Sequence, residues 1–261
     1  MNSQFILNYT GQKFKESKEL ENINFSKYKT VIEPFGGSFG FSRYLYEIKN
    51  LKNINYIIYD NDEELINFYN YIKRLLIENK FEDFINEYNK EIDYIKENFI
   101  YKDGKDKTLL TIKTTRDYVY KNIKTDNKYL IYMLKKNIFS IRLARARNKN
   151  KLKFLDIIKT TTFIHDRFNN IDFNIYDKET SLIYLDPPYL FEDNSSYKNL
   201  GDMKLFFEKI HLLFQDYNSI FIHSYNFLLD NVFKKYYKNH YTKRYGSGKV
   251  KSHYIYMNEL N

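Results

Sequence analysis

Apolar, β-branched and aromatic residues gather in short blocks along this chain, separated by longer stretches of helical periodicity. Six blocks read as strands: "TVIEPF" (30–35), "NYIIYD" (55–60), "TTTFIHD" (160–166), "SLIYLD" (181–186), "SIFIHSY" (219–225) and "SHYIYMN" (252–258). The blocks at 55–60 and 181–186 are almost continuously apolar, as expected of strands covered on both faces. Apolar spacing of three and four residues predicts helices over 38–49, 63–77 and 202–216. Strands alternating with helices predict an α/β sheet.

Residues 63–150 break that alternation. They read as largely helical around a polar centre, "EIDYIKENFIYKDGKDK", and their charge passes from acidic to strongly basic. The predicted organisation is therefore a sheet domain built from 1–62 and 151–261, with an inserted helical subdomain over 63–150. Between 121 and 153 eleven basic residues face one acid, Asp126, while the whole chain carries +9. The remainder sums to −1, so the positive field is local and suits a polyanion such as nucleic acid. Within it, Lys135, Lys136, Arg142, Arg145, Arg147 and Lys149 are the candidate phosphate contacts.

Bulk composition narrows the class. At 261 residues, 43% hydrophobic and 29% charged, the chain has the make-up of a soluble globular protein. It has no apolar run of about 18 residues, and its first residues lack the form of a signal peptide, so no membrane association is expected. The expected location is the cytoplasm, or the host cytoplasm for a viral chain. Without cysteine there are no disulfides or thiolate metal sites, and the five histidines show no metal-ligand spacing. Glycine and proline are scarce, at 8 and 3, yet all three prolines and three of the glycines fall in two short stretches. Backbone geometry must demand them there.

The first stretch is "VIEPFGGSFGFSRYL" (31–45), a strand running through a glycine-rich turn into a helix. Such a turn lets backbone approach a ligand and presents helix N-terminal amides. The glycines do not fit the G-x-G-x-x-G dinucleotide register. Twenty residues beyond Gly40, Asp60 ends the next apolar strand, where a carboxylate can accept from both hydroxyls of a ribose. The pair points to a nucleoside-binding α/β site.

The second stretch, "LIYLDPPYLFED" (182–193), stops an apolar strand with Asp186, Pro187, Pro188 and Tyr189. Prolines end a strand because they lack the donor a ladder needs. At the C-terminal end of a central strand, Asp186 offers an acceptor oxygen, Pro187 a rigidly aimed carbonyl and Tyr189 a π face. Two acceptors and a stacking ring suit a planar group bearing an amino group, such as adenine. Hydrogen bonds from both N–H groups favour a pyramidal nitrogen with its lone pair available for attack.

On these residues the chain resembles the Dam-type family of adenine-specific DNA methyltransferases. "LNYTGQK" (7–13), "EPFGGSFG" (33–40), "YDNDEELINFY" (59–69) and "DPPY" (186–189) are similar to the family's motifs and stand in its order. The resemblance implies a mixed seven-stranded Rossmann-like sheet with helices on both faces and an inserted helical, basic DNA-recognition subdomain. It implies S-adenosylmethionine as cofactor, contacted by Tyr9, Lys13, the backbone of Phe35, Gly36, Gly37 and Gly40, and by Asp60, Asp166 and Asp186. It further implies that Asp186, Pro187, Pro188 and Tyr189 hold a target adenine flipped out of double-stranded DNA.

Two departures bear on DNA reading and on the cofactor. "NIFSIRLARARNKNK" (137–151) keeps Asn137 but lacks the glycine of the family's corresponding stretch, and Gln12 stands where a second glycine is usual. An RNA adenine methyltransferase, a cytosine amino target and a non-catalytic nucleic-acid-binding subunit remain open on sequence. So do a cognate restriction enzyme and a homodimer.

Overall fold

The computed structural model describes residues 16–99, 123–138, 155–188, 202–224, 226–244 and 250–258, together with Leu7 and Phe14. Strands β1 (Thr30–Glu33), β2 (Asn55–Asp60), β3 (Thr162–His165), β4 (Ser181–Leu185), β5 (Asn218–Ser224), β6 (Tyr237–Arg244) and β7 (Val250–Asn258) form one sheet. Their spatial order is β3-β2-β1-β4-β5-β7-β6. The first five run parallel, while β7 is antiparallel to both β5 and β6, so the sheet is mixed.

The described residues fall into two compact units, one within 12–67 and 160–261, the other within 1–11 and 68–159. The first unit holds the sheet. Strand β4 is buried along all five residues, which explains its unbroken apolar sequence. Its alternating side chains serve two faces. Ile183 and Leu185 join Ile32 and Phe221 in a core with Phe206, Ile210, Leu213 and Phe214 of helix α6 (Met203–Asp216). On the other face Tyr184 stacks flat on Phe41 of helix α1 (Gly40–Glu47), with ring centroids 4.1 Å apart. Helices therefore cover both faces, and the fold is α/β as the sequence pattern predicts.

Capping sets the helix starts. Asp202 accepts from the N–H groups of Lys204 and Leu205, at 2.8 and 3.3 Å, and opens α6. Helix α2 (Glu63–Ile77) begins with two acids, as the helix dipole favours, and buries Leu65, Ile66, Phe68, Tyr69, Ile72, Leu75 and Leu76 at helical spacing.

In the second unit, helices α3 (Phe81–Phe99), α4 (Lys128–Ile138) and α5 (Leu155–Thr160) accompany the later turns of α2. Tyr71 stacks on Tyr129 at 4.1 Å, Phe68 meets Tyr132 at 5.3 Å, and Asn137 donates to the Tyr88 hydroxyl at 3.1 Å. No described helix is long and apolar enough to cross a membrane.

Candidate functional site

The strand order reverses between β1 and β4. From β1 the chain proceeds outward to β2 and β3, and from β4 it proceeds the other way to β5. Open α/β sheets bind ligands at the carboxyl ends of the strands flanking such a switch point. Here the glycine loop follows β1 and the Asp186-Pro187-Pro188 turn follows β4. The two motifs lie 150 residues apart in sequence, and the parallel register Ile32↔Ile183 makes them neighbours.

The loop is shaped by sterics. A Cβ on Gly36 would sit 2.2 Å from Ile58 Cγ2 and 3.0 Å from the Tyr59 carbonyl, so only glycine fits against β2. The Gly36 N–H donates to that carbonyl at 2.7 Å. Gly37 has φ 47° and Phe39 has φ 39°, both left-handed. For Phe39 this costs on the order of 1–2 kcal/mol, offset by a fully buried ring that meets Phe163 at 5.4 Å. Strain held by packing is characteristic of ligand-binding loops.

Asp60 closes the loop from β2. Its carboxylate accepts from Gly37 N–H at 2.8 Å and from Asp62 N–H at 2.9 Å. Asp166 follows β3, and its N–H donates to the Asp60 carbonyl at 3.1 Å. The Asp166 carboxylate itself accepts from Arg167 N–H and Asn170 Nδ2, at 2.7 and 3.1 Å. Phe35 lies against Phe168, with centroids 4.9 Å apart. The structure thus brings together Phe35, Gly36, Gly37, Gly40, Asp60, Asp166, Asp186, Pro187 and Pro188 along one rim of the sheet. Tyr9, Lys13, Tyr189, Arg142, Arg145, Arg147 and Lys149 lie outside the described residues. Lys135 and Lys136 occupy the last turn of α4, where Lys136 Nζ sits 5.2 Å from the Tyr132 ring centre.

Glu33 is a component the sequence reading passed over. It ends β1, is 3% exposed, and accepts from Ser42 N–H at 2.7 Å. Burial pushes its carboxyl up to about 8; the Ser42 hydrogen bonds oppose this, Asp186 adds to it, and Arg43 opposes it. Arg43 is itself fully buried, paired with Glu47 at 3.1 Å and stacked over Phe14 at 4.9 Å. Tyr184 is likewise raised well above the ordinary tyrosine value, first by burial and then by the Asp186 carboxylate. The available signal was an acid before Pro34 in an otherwise apolar strand.

Chemically, the rim is acidic, with Asp60 and Asp62 at the end of β2, Asp166 after β3 and Asp186 after β4. Helix α1 leaves its first N–H groups without intrahelical acceptors, and Glu33 takes that of Ser42. The site therefore offers carboxylates for hydroxyls or a cationic group and a backbone cradle too close for side chains.

A model of the D12 class N6 adenine-specific DNA methyltransferase family matches residues 9–253. No curated protein matches the chain.

Proposed function

We propose that this chain, which belongs to the D12 class N6 adenine-specific DNA methyltransferase family, uses S-adenosylmethionine to methylate an adenine flipped out of the duplex. The observation that supports this best is the meeting of the glycine loop with Asp186-Pro187-Pro188 at the switch point. A donor held on the β1 side and an acceptor held on the β4 side would face each other across one strand spacing.

The residues fit the cofactor. Gly36 and Gly37 give a cradle that side chains would fill, Asp60 suits ribose hydroxyls, and the acidic rim suits a cationic ligand. S-adenosylmethionine, when bound, supplies a methyl group activated by a positively charged sulfur. Asp186 and the Pro187 carbonyl accept from the two N–H groups of adenine N6 and orient the nitrogen lone pair. Tyr189 stacks on the ring. Alignment of nucleophile, methyl and leaving sulfur supplies much of the rate, with no covalent enzyme intermediate. An adenine inside a duplex cannot reach such a pocket, so flipping precedes transfer. The basic helical segment 63–150 is proposed to contact the DNA backbone.

The reading is tested by incubating the protein with methyl-labelled S-adenosylmethionine and duplex DNA, then digesting to nucleosides. Label in N6-methyldeoxyadenosine supports it. Label confined to methylcytosine, or to a matched RNA, overturns it.

A further inference from the structure

Strands β6 and β7 form a hairpin at the edge of the sheet, and its position follows from the pairing registers. Asp186 stands one residue past Leu185, which pairs with Phe221; Ile222 pairs with Ile255 of β7, and Ile255 with Asn239 of β6. From that level the hairpin continues to the pairs Lys243↔Lys251 and Arg244↔Val250. That is four to five residues, or roughly 13–17 Å, beyond the level of Asp186. It projects past the same rim that carries Asp186 and the glycine loop. Laterally, β7 is two strand spacings from β4, or about 10 Å, and β6 is three.

The chemistry of this arm is one-sided. Residues 237–258 contain five lysines and arginines and no aspartate or glutamate. Lys243 is anchored, paired with Glu16, but Lys238 is exposed on the edge strand. On the outer surface Tyr237, His240 and Tyr254 stack, with centroids 5.5–6.5 Å apart, and the Tyr237 hydroxyl lies 2.8 Å from His240 Nδ1. Charge on an edge strand also protects against edge-to-edge pairing. That role needs no single sign, whereas five basic residues with no acid in the hairpin's own sequence suit a polyanion.

We propose that the β6–β7 hairpin is a second DNA-contacting surface, an arm that holds the duplex backbone beside the flipped adenine. This rests on the DNA-methylating reading and extends it. A duplex is wider than the roughly 10–15 Å from the pocket to the arm, so one that delivers a base to Asp186 passes its phosphates along the hairpin, from Lys238 at its base to the strand-end residues Arg244 and Lys251. Such contacts position the duplex and read no sequence.

The test compares the wild type with the triple variant Lys238→Gln/Arg244→Gln/Lys251→Gln, measuring affinity for a labelled duplex across a salt series. The expected result is binding at least about tenfold weaker, with the log–log salt slope shallower by about two to three. S-adenosylmethionine affinity and the rate at saturating DNA stay unchanged. The exposed single variant Lys238→Glu gives the same direction and serves if the triple variant fails to fold. Unchanged affinity and slope in a folded variant overturn the arm alone. A wild type that neither binds nor methylates the duplex overturns the reading on which the arm rests.

Discussion

Glu33 Oε1 accepts a hydrogen bond from Ser42 N–H at 2.7 Å, fastening the end of β1 to the first turn of α1. Every link in the glycine loop lies between these two residues, so their contact fixes the loop's span. The carboxyl that makes it is buried beside Asp186, the group assigned to the target base.

Stability should therefore depend on the ionisation of Glu33. Its carboxyl titrates at about 8 in the folded chain, against 4.5 for an ordinary glutamate. Between these values the folded chain holds a proton that the unfolded chain has released. Stability contributed by the neutral carboxyl is complete below about 4.5, falls as pH rises toward 8, and is level above. Glu33→Gln keeps an acceptor for Ser42 and removes the titration. In denaturant unfolding the two proteins should match near pH 4, and the variant should be more stable by on the order of 2–5 kcal/mol near pH 9. Parallel pH curves would contradict this.

Gly36→Ala should damage the loop through its contact with Ile58. The added methyl enters space held by Ile58 Cγ2, and overpacking of this kind costs about 1–3 kcal/mol. Cofactor binding, measured by calorimetric titration, should weaken together with stability. Measured in an Ile58→Ala background, Gly36→Ala should recover part of its own cost, because the nearest obstruction has gone. No recovery would place the conflict at the Tyr59 carbonyl instead.

The Tyr184 hydroxyl is buried without a hydrogen-bond partner among the described residues. Removing an unsatisfied buried hydroxyl relieves its desolvation cost, while the stacking on Phe41 needs only the ring. Tyr184→Phe should be neutral or stabilising by about 1 kcal/mol, with methyl transfer retained. Tyr184→Ala should lose about 3–5 kcal/mol of stability. Thermal melts of the two variants check the contrast.

Asp60 uses both carboxylate oxygens to accept backbone N–H groups, one of them in the glycine loop. An asparagine can offer only one oxygen. Asp60→Asn should raise the S-adenosylmethionine dissociation constant by about tenfold or more, at a cost near 1.4 kcal/mol per tenfold. The rate at saturating cofactor should change by no more than a few-fold. A large loss of rate with unchanged affinity would assign Asp60 another role.

Much of this was legible in the sequence, and the reasons are local. The apolar blocks at 55–60 and 181–186 hold β2 and β4, the latter buried along its whole length, and helix 63–77 falls where the periodicity puts it. Strand β6, "YKNHYTKR", was missed because an edge strand needs little apolar content and its tyrosines are interleaved with lysines. Its charge was hidden by summing all residues outside 121–153, where acids elsewhere cancel the basic hairpin. Asp60 was placed by spacing, but its ties to Gly37 and Asp62 depend on how the loop folds back over β2. Glu33 was read as a strand residue, since only the packing of α1 on β1 reveals an acid with no access to water.

The most direct test of the central claim is single-turnover methyl transfer to duplex adenine by Asp186→Ala, with S-adenosylmethionine affinity measured on the same preparation. The account predicts that transfer is abolished while the cofactor still binds, within about tenfold of the wild type. Transfer at the wild-type rate in a variant that binds cofactor normally would contradict the assignment of Asp186 to the target adenine.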